Sequence, residues 1–135
     1  GFTKKELASL DKYIPGRYAH LGYITEYQLN QEYNKSIALI YPSLYEGFGI
    51  PILEAMRAGC PVIAMGTSSI PEVAGDAALL LNYGSPDEIK NALLSLNINS
   101  RREKLISQGF LQSQKFSWEK TFTETLAIYK TFLQK

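Results

Sequence analysis

Three short, wholly apolar runs set the terms for any fold of this chain: Ile37-Ala38-Leu39-Ile40-Tyr41, Pro61-Val62-Ile63-Ala64-Met65, and Ala77 to Leu81. A strand with one wetted face alternates apolar and polar residues, whereas a strand covered on both faces does not. The runs therefore predict interior strands of a parallel sheet, with 37–41 a central one. Helical patterns lie between them, over about 51–58 and 86–96, with a short turn at 71–74. Strands alternating with helices mean an α/β class, a mostly parallel sheet with flanking helices. Tyr18-Ala19-His20-Leu21-Gly22-Tyr23-Ile24 reads as a further strand, making about four. Ligands of such sheets collect at the carboxyl ends of the strands.

Local signals mark the helix starts. Thr3-Lys4-Lys5-Glu6 and Thr25-Glu26-Tyr27-Gln28 are capping boxes, opening helices to about Tyr13 and Asn34. Ser85-Pro86-Asp87-Glu88 supplies a cap, a proline at the first helical position and acids in the first turn. Ile89, Ala92, Leu93 and Leu96 then share one face. Residues of about 100–134 read as C-terminal helices. Leu105, Ile106 and Phe110 form the first stripe; behind a Ser117 cap come Trp118, Phe122, Leu126, Tyr129 and Leu133, expected to bury against the sheet.

At 135 residues the chain is one domain's worth. The 45% hydrophobic content supplies a core and argues against disorder. A net charge of +1 is not the footprint of a nucleic-acid binder. Residues 36–94 carry two basic and six acidic groups, and residues 95–135 carry seven basic and three acidic. Arg101, Arg102 and Lys104 read as a solvated helix face; the alternative is a weak peripheral contact with anionic lipid or an acidic partner. No apolar run approaches the ~18 residues of a membrane span and no signal peptide is visible, so a cytoplasmic setting is expected, at the inner membrane surface if lipid contact occurs. Cys60, the single cysteine, is expected to be buried, and His20, the single histidine, to be packed in a strand. No metal site is expected, because no cluster has ligand spacing.

The chemistry concentrates in Pro42-Ser43-Leu44-Tyr45-Glu46-Gly47-Phe48-Gly49-Ile50-Pro51-Ile52-Leu53-Glu54. This stretch leaves an interior strand and enters a helix through a glycine-rich loop. Gly47 and Gly49 permit a tight bend and close approach of backbone to ligand. Free amides from Gly49 to Leu53, backed by the helix dipole, make an anion site that suits phosphate. Glu54 is expected in the first turn, and Glu46 just ahead of it. A carboxylate accepts at both oxygens and so suits a vicinal diol. One anion site between two carboxylates describes a nucleotide sugar. The plainer alternatives are dipole complementation for Glu54 and a solvated loop acid for Glu46. A dinucleotide fingerprint fails because Ile52 stands where its third glycine belongs, and no Gly-Lys-Ser/Thr follows.

These residues resemble the signature of the retaining group 1 glycosyltransferases with the GT-B fold, whose hallmark is two glutamates separated by seven residues, as Glu46 and Glu54 are. Further matches follow in the family's order at Leu21-Gly22-Tyr23, Tyr41-Pro42-Ser43, Glu54-Ala55-Met56, Ala58 to Val62, Ile70 to Asp76 and Phe116-Ser117-Trp118. The resemblance implies that residues 1–135 are a partial, Rossmann-like nucleotide-sugar-binding domain: the C-terminal, donor-binding half lacking its first strand-helix-strand. Glu46 would stand near the donor sugar as the catalytic carboxylate. Gly47, Phe48, Gly49 and Ile50 would touch sugar and diphosphate, and Glu54 would accept both ribose hydroxyls. Tyr23 and Ile24 would contact the base through main chain, and Ser43 would line the pocket. Glu72 lies in a family motif but reads as a helix-start acid after Ser69 and Pro71.

The resemblance further implies a nucleotide-diphosphate-sugar donor, no cofactor or metal, a glycan or lipid-linked acceptor, and an N-terminal acceptor domain as partner, on which the last helix is allowed to lean instead of on the sheet. In relatives the absent portion supplies an Arg and a Lys for the diphosphate, so this chain alone is expected to be inactive. Alternatives stay open: an epimerase or phosphorylase of the same architecture, a non-catalytic nucleotide-binding module, or a glycosidase using Glu46 and Glu54 as paired carboxylates.

Overall fold

A computed structural model describes residues 2–133. The last position of the expected C-terminal helices, 134, lies outside the described residues. At the centre is Val62–Met65 (β2), whose four side chains are all buried. It pairs in parallel with Leu39–Tyr41 (β1) on one side and Ala78–Leu81 (β3) on the other, giving the order β1-β2-β3. The register sets Ile40 beside Ile63 and Ala64 beside Leu80. Of the three apolar runs only β2 is interior. β1 is an edge strand in which Ile40 is 39% exposed, and Ile37 lies outside it at 65%. Pairing begins where the Leu39 amide reaches the Pro61 carbonyl at 2.9 Å.

Among the described residues seven helices accompany this sheet: Lys4–Tyr13 (α1), Glu26–Lys35 (α2), Ile50–Arg57 (α3), Ile70–Ala74 (α4), Pro86–Ser95 (α5), Asn99–Ser113 (α6) and Trp118–Leu133 (α7). A single 3-10 turn, Gly75–Ala77, links α4 to β3. Both anticipated capping boxes form, at Thr3/Glu6 and Thr25/Gln28, and the Ser85 cap proves to be a third, with Glu88. Each satisfies amides that a helix start leaves without partners. α3 buries Ile52, Leu53, Ala55 and Met56 against the sheet. Full burial of a side chain such as Ile52 or Ile63 contributes about 1.5–3 kcal/mol each, so this layer dominates stability.

Four expectations are corrected. Residues 18–24 form no strand: Gly22 takes φ 63°, which breaks an extended run, and its amide donates to His20 Nδ1 at 3.1 Å. No described strand pairs with this segment. His20 is accordingly an exposed turn residue beside the Phe2 ring, not a packed one. The buried face of α6 is Leu105, Gly109 and Ser113, with Phe110 turned outward. Gly109 makes this face possible: a Cβ there would stand 3.1 Å from Met56 Cγ, so its absence lets α6 sit tightly on α3. The α7 stripe does not bury against the sheet: Trp118 is 80% and Phe122 67% exposed.

Other readings hold. Cys60 is buried, and burial pushes its thiol pKa up. Leu96 is buried, and Ile89, Ala92 and Leu93 pack on the core from α5. Arg101 and Lys104 are exposed as expected, but Arg102 departs from the solvated face: it is half-buried and donates to the Ile37 carbonyl at 2.6 Å, tying α6 to the chain ahead of β1. Among the described residues no helix is long and apolar enough to cross a membrane.

Candidate functional site

The carboxyl ends of β1 and β2 lie side by side, so the loops that leave them, 42–49 and 66–69, are neighbours. The second holds the first through three consecutive hydroxyls. Thr67 Oγ1 donates to the Leu44 carbonyl at 3.0 Å, and Ser68 Oγ to the Glu46 carbonyl at 2.7 Å. Ser69 Oγ stands 3.0 Å from the Glu46 carbonyl and 3.1 Å from that of Phe48. The Glu46 amide in turn donates to Ser68 Oγ at 3.4 Å. Ser69 therefore contributes no side-chain cap to α4, although it stands at that position. Ser68 adopts φ 57°, an uncommon conformation for a residue with a side chain. The backbone carrying Glu46 is set by this network.

Gly49 completes the turn with φ 99° and ψ 44° at the N-cap of α3. Gly47 has no left-handed φ and open space where a Cβ would stand. Only one of the two glycines is required by the backbone. The Ile52 amide already donates to the Gly49 carbonyl at 3.0 Å, which leaves fewer free amides than the sequence suggested.

Glu46 is half-buried. Hydrogen bonds from Ser43 and then Tyr41 hold its carboxyl below the usual carboxylate range. Ser43 Oγ also donates to the Tyr45 carbonyl at 3.2 Å. Tyr41 is pushed up to about 12, chiefly by burial and then by its bond to Glu46. Glu46 is not a freely solvated loop acid.

Glu54 projects from α3 as an exposed residue among buried neighbours. The helix begins at Ile50 and has no acid in its first turn, so Glu54 lies beyond the reach of simple dipole complementation. Its Oε2 accepts a hydrogen bond from the Tyr33 hydroxyl of α2 at 3.2 Å. It also lines a cleft of about 390 Å³ with Phe48, Ile50, Leu53, Arg57, Phe116, Ser117, Trp118 and Thr121. Phe48 and Phe116 meet edge to face, with ring centres 5.7 Å apart. Arg57 Nη2 donates to the carbonyls of Phe116 at 2.6 Å and Ser113 at 3.3 Å. The one cation in this wall is committed to the end of α6.

Ser43, Glu46, Gly47, Phe48 and Gly49 lie in the loop between β1 and α3, and Ile50 and Glu54 on α3; of these, Phe48, Ile50 and Glu54 share the cleft, while Gly49 is buried. Tyr23, fully exposed, and Ile24 precede α2. The start of α2, which they precede, lies roughly 10 Å along the helix axis from Tyr33 at 1.5 Å per residue. No hydrogen bond joins them to either glutamate among the described residues. The sequence reading overlooked Tyr33, Tyr41, Thr67 and Ser68. A weak signal existed for each: Leu29 and Tyr33 are one helical turn apart, and three hydroxyls follow a buried strand directly.

Residues 2–112 match the family of glycosyl transferases, group 1. The chain belongs to this family. Among its relatives, the O-antigen chain mannosyltransferase B of Escherichia coli is 43% identical over 112 residues, covering 82% of this chain and 29% of that protein. The serotype-specific mannosyltransferase WbdA of the same organism is 35% identical over 114 residues, 84% of this chain and 14% of that protein. The family's fold is also seen in sucrose-phosphate synthase from Thermosynechococcus elongatus, with a TM-score of 0.86, 24% identity, and coverage of 97% of this chain and 34% of that one. This group 1 chain therefore spans about a third or less of the proteins it matches. Its parallel sheet with flanking helices is that of a GT-B fold.

Proposed function

We propose that this chain is the donor-binding portion of a retaining glycosyltransferase that takes a sugar from a nucleotide-diphosphate sugar and passes it to a glycan or lipid-linked acceptor. Mannose is the sugar the relatives' names favour, in the assembly of a surface polysaccharide. The observation that carries the reading is the pair of carboxylates on either side of the Gly49 turn, Glu46 set by the hydroxyls of the 66–69 loop and Glu54 at the rim of an aromatic-walled cleft.

Each residue then has a task. Glu54 accepts the two ribose hydroxyls, since a carboxylate offers about four acceptor sites and Tyr33 occupies one. The Gly47–Ile50 backbone lies along the sugar and diphosphate, where Gly47 leaves room for close approach. Glu46, kept ionised by Ser43 and Tyr41, faces the donor sugar and stabilises positive charge as the bond to the diphosphate breaks. The helix end contributes only about half a charge toward the leaving diphosphate. Arg57 is engaged elsewhere, so further cations come from another part of the enzyme. An acceptor domain closing over this face would exclude water from the reacting centre.

The test uses the full-length polypeptide. Glu54→Ala raises the donor Kd by about tenfold or more, the order for a lost hydrogen bond to a charged group. Glu46→Ala lowers kcat while leaving donor Kd near its wild-type value. Calorimetric titration with UDP, GDP and ADP and their sugar conjugates, beside turnover assays, reads both. An unchanged rate in Glu46→Ala would remove its assigned role.

A further inference from the structure

We infer that Tyr33 is a positioning residue for the donor's ribose, acting through Glu54 by holding one carboxylate oxygen so that the other is presented to the diol. The inference rests on the ribose role proposed above for Glu54. The Tyr33 hydroxyl donates to Glu54 Oε2 at 3.2 Å, and among the described residues no other protein group bonds to that carboxylate. The two residues come from different elements, 21 positions apart, so the contact is made by tertiary packing rather than by local geometry. Tyr33 is the one residue of α2 that is buried, at 9% exposure, whereas Glu54 is open to solvent. A buried donor thus holds an exposed acceptor.

A free glutamate has rotamer freedom that binding a diol would have to remove. Anchoring one oxygen on a buried ring removes part of that freedom before the ligand arrives. Three acceptor positions remain after Tyr33 has taken one, which is enough for two ribose hydroxyls. Burial and the neighbouring Glu54 charge both raise the Tyr33 pKa, so the phenol stays protonated and remains a donor across the neutral range.

Wild-type full-length protein and Tyr33→Phe are titrated with UDP, GDP and ADP, and with the 2′,3′-dideoxy form of whichever binds. Wild type prefers the ribonucleotide. Tyr33→Phe shrinks that preference about fivefold, the lower part of the range for a bond to a charged group, and leaves the dideoxy affinity unchanged. Glu54→Gln also lowers the preference, and Tyr33→Phe adds nothing further in that background. Removing the hydroxyl leaves no buried group unpaired, because Glu54 is exposed, and thermal melts check that the variant is folded. A Tyr33→Phe protein with lowered Tm and an intact ribose preference overturns the inference while the Glu54 reading stands. A wild type without ribose preference, or without binding to any of the three nucleotides, overturns both.

Discussion

Gly49 and Gly47 sit two residues apart and read alike in the sequence, yet the physical demands on them differ. At φ 99° a side chain is strained, and a Cβ on Gly49 would also stand 3.3 Å from Ile52 Cδ1. Gly49→Ala is expected to lower stability by about 1–2 kcal/mol, the usual cost of the left-handed region for a residue with a Cβ. Gly47→Ala is expected to leave stability unchanged, because its φ is ordinary and no atom lies within 4 Å. Urea unfolding at constant m-value separates the two. If Gly47 serves the ligand, its alanine variant loses donor affinity without losing stability. The motif announced both glycines together. What it could not announce is which of them the backbone needs, since φ depends on how the Thr67–Ser69 hydroxyls hold the loop.

The helix starts were the most legible elements, because a capping box is a contract between residues three apart. Thr25 and Gln28 satisfy each other's amides whatever lies beyond them. Glu88 does more than its box requires: its carboxylate accepts from the amides of Tyr83 at 2.9 Å, Asn82 at 3.1 Å and Ser85 at 3.3 Å. These bonds, that of Tyr83 foremost, hold its pKa below the ordinary 4.5. A depressed folded-state pKa stabilises the fold at pH above 4.5, and that stabilisation is lost as pH falls through the lower folded value. Glu88→Gln therefore lowers Tm at pH 7 and narrows the difference between Tm at pH 7 and at pH 3.5. Thermal melts across that interval check it, and an acid limb as steep as wild type would refute the role. Strands were less legible than helices. Tyr18–Ile24 has strand-forming residues, but a strand needs a partner to bond, and Gly22 with His20 closes a turn instead.

Burial across the molecule is uneven. β2 and the inner face of α3 are covered on all sides, whereas α1 and α7 bury none of their residues. Hydrogen exchange of this chain is expected to be slowest at Val62–Met65 and Ile52–Met56, and fastest through α1 and α7, since local opening costs least where little apolar surface is covered. Uniform protection of α7 would show that its aromatic stripe finds a covering surface in solution. The sequence settled the α/β class, the helix starts and the two-glutamate loop, because apolar runs, caps and glycine spacing act over a few residues. Tertiary structure decided which strand is central, that α6 rather than α7 covers α3, and that Tyr33 meets Glu54. Those outcomes turn on close approaches such as Gly109 on Met56, which join residues 53 positions apart and leave no periodic trace along the chain.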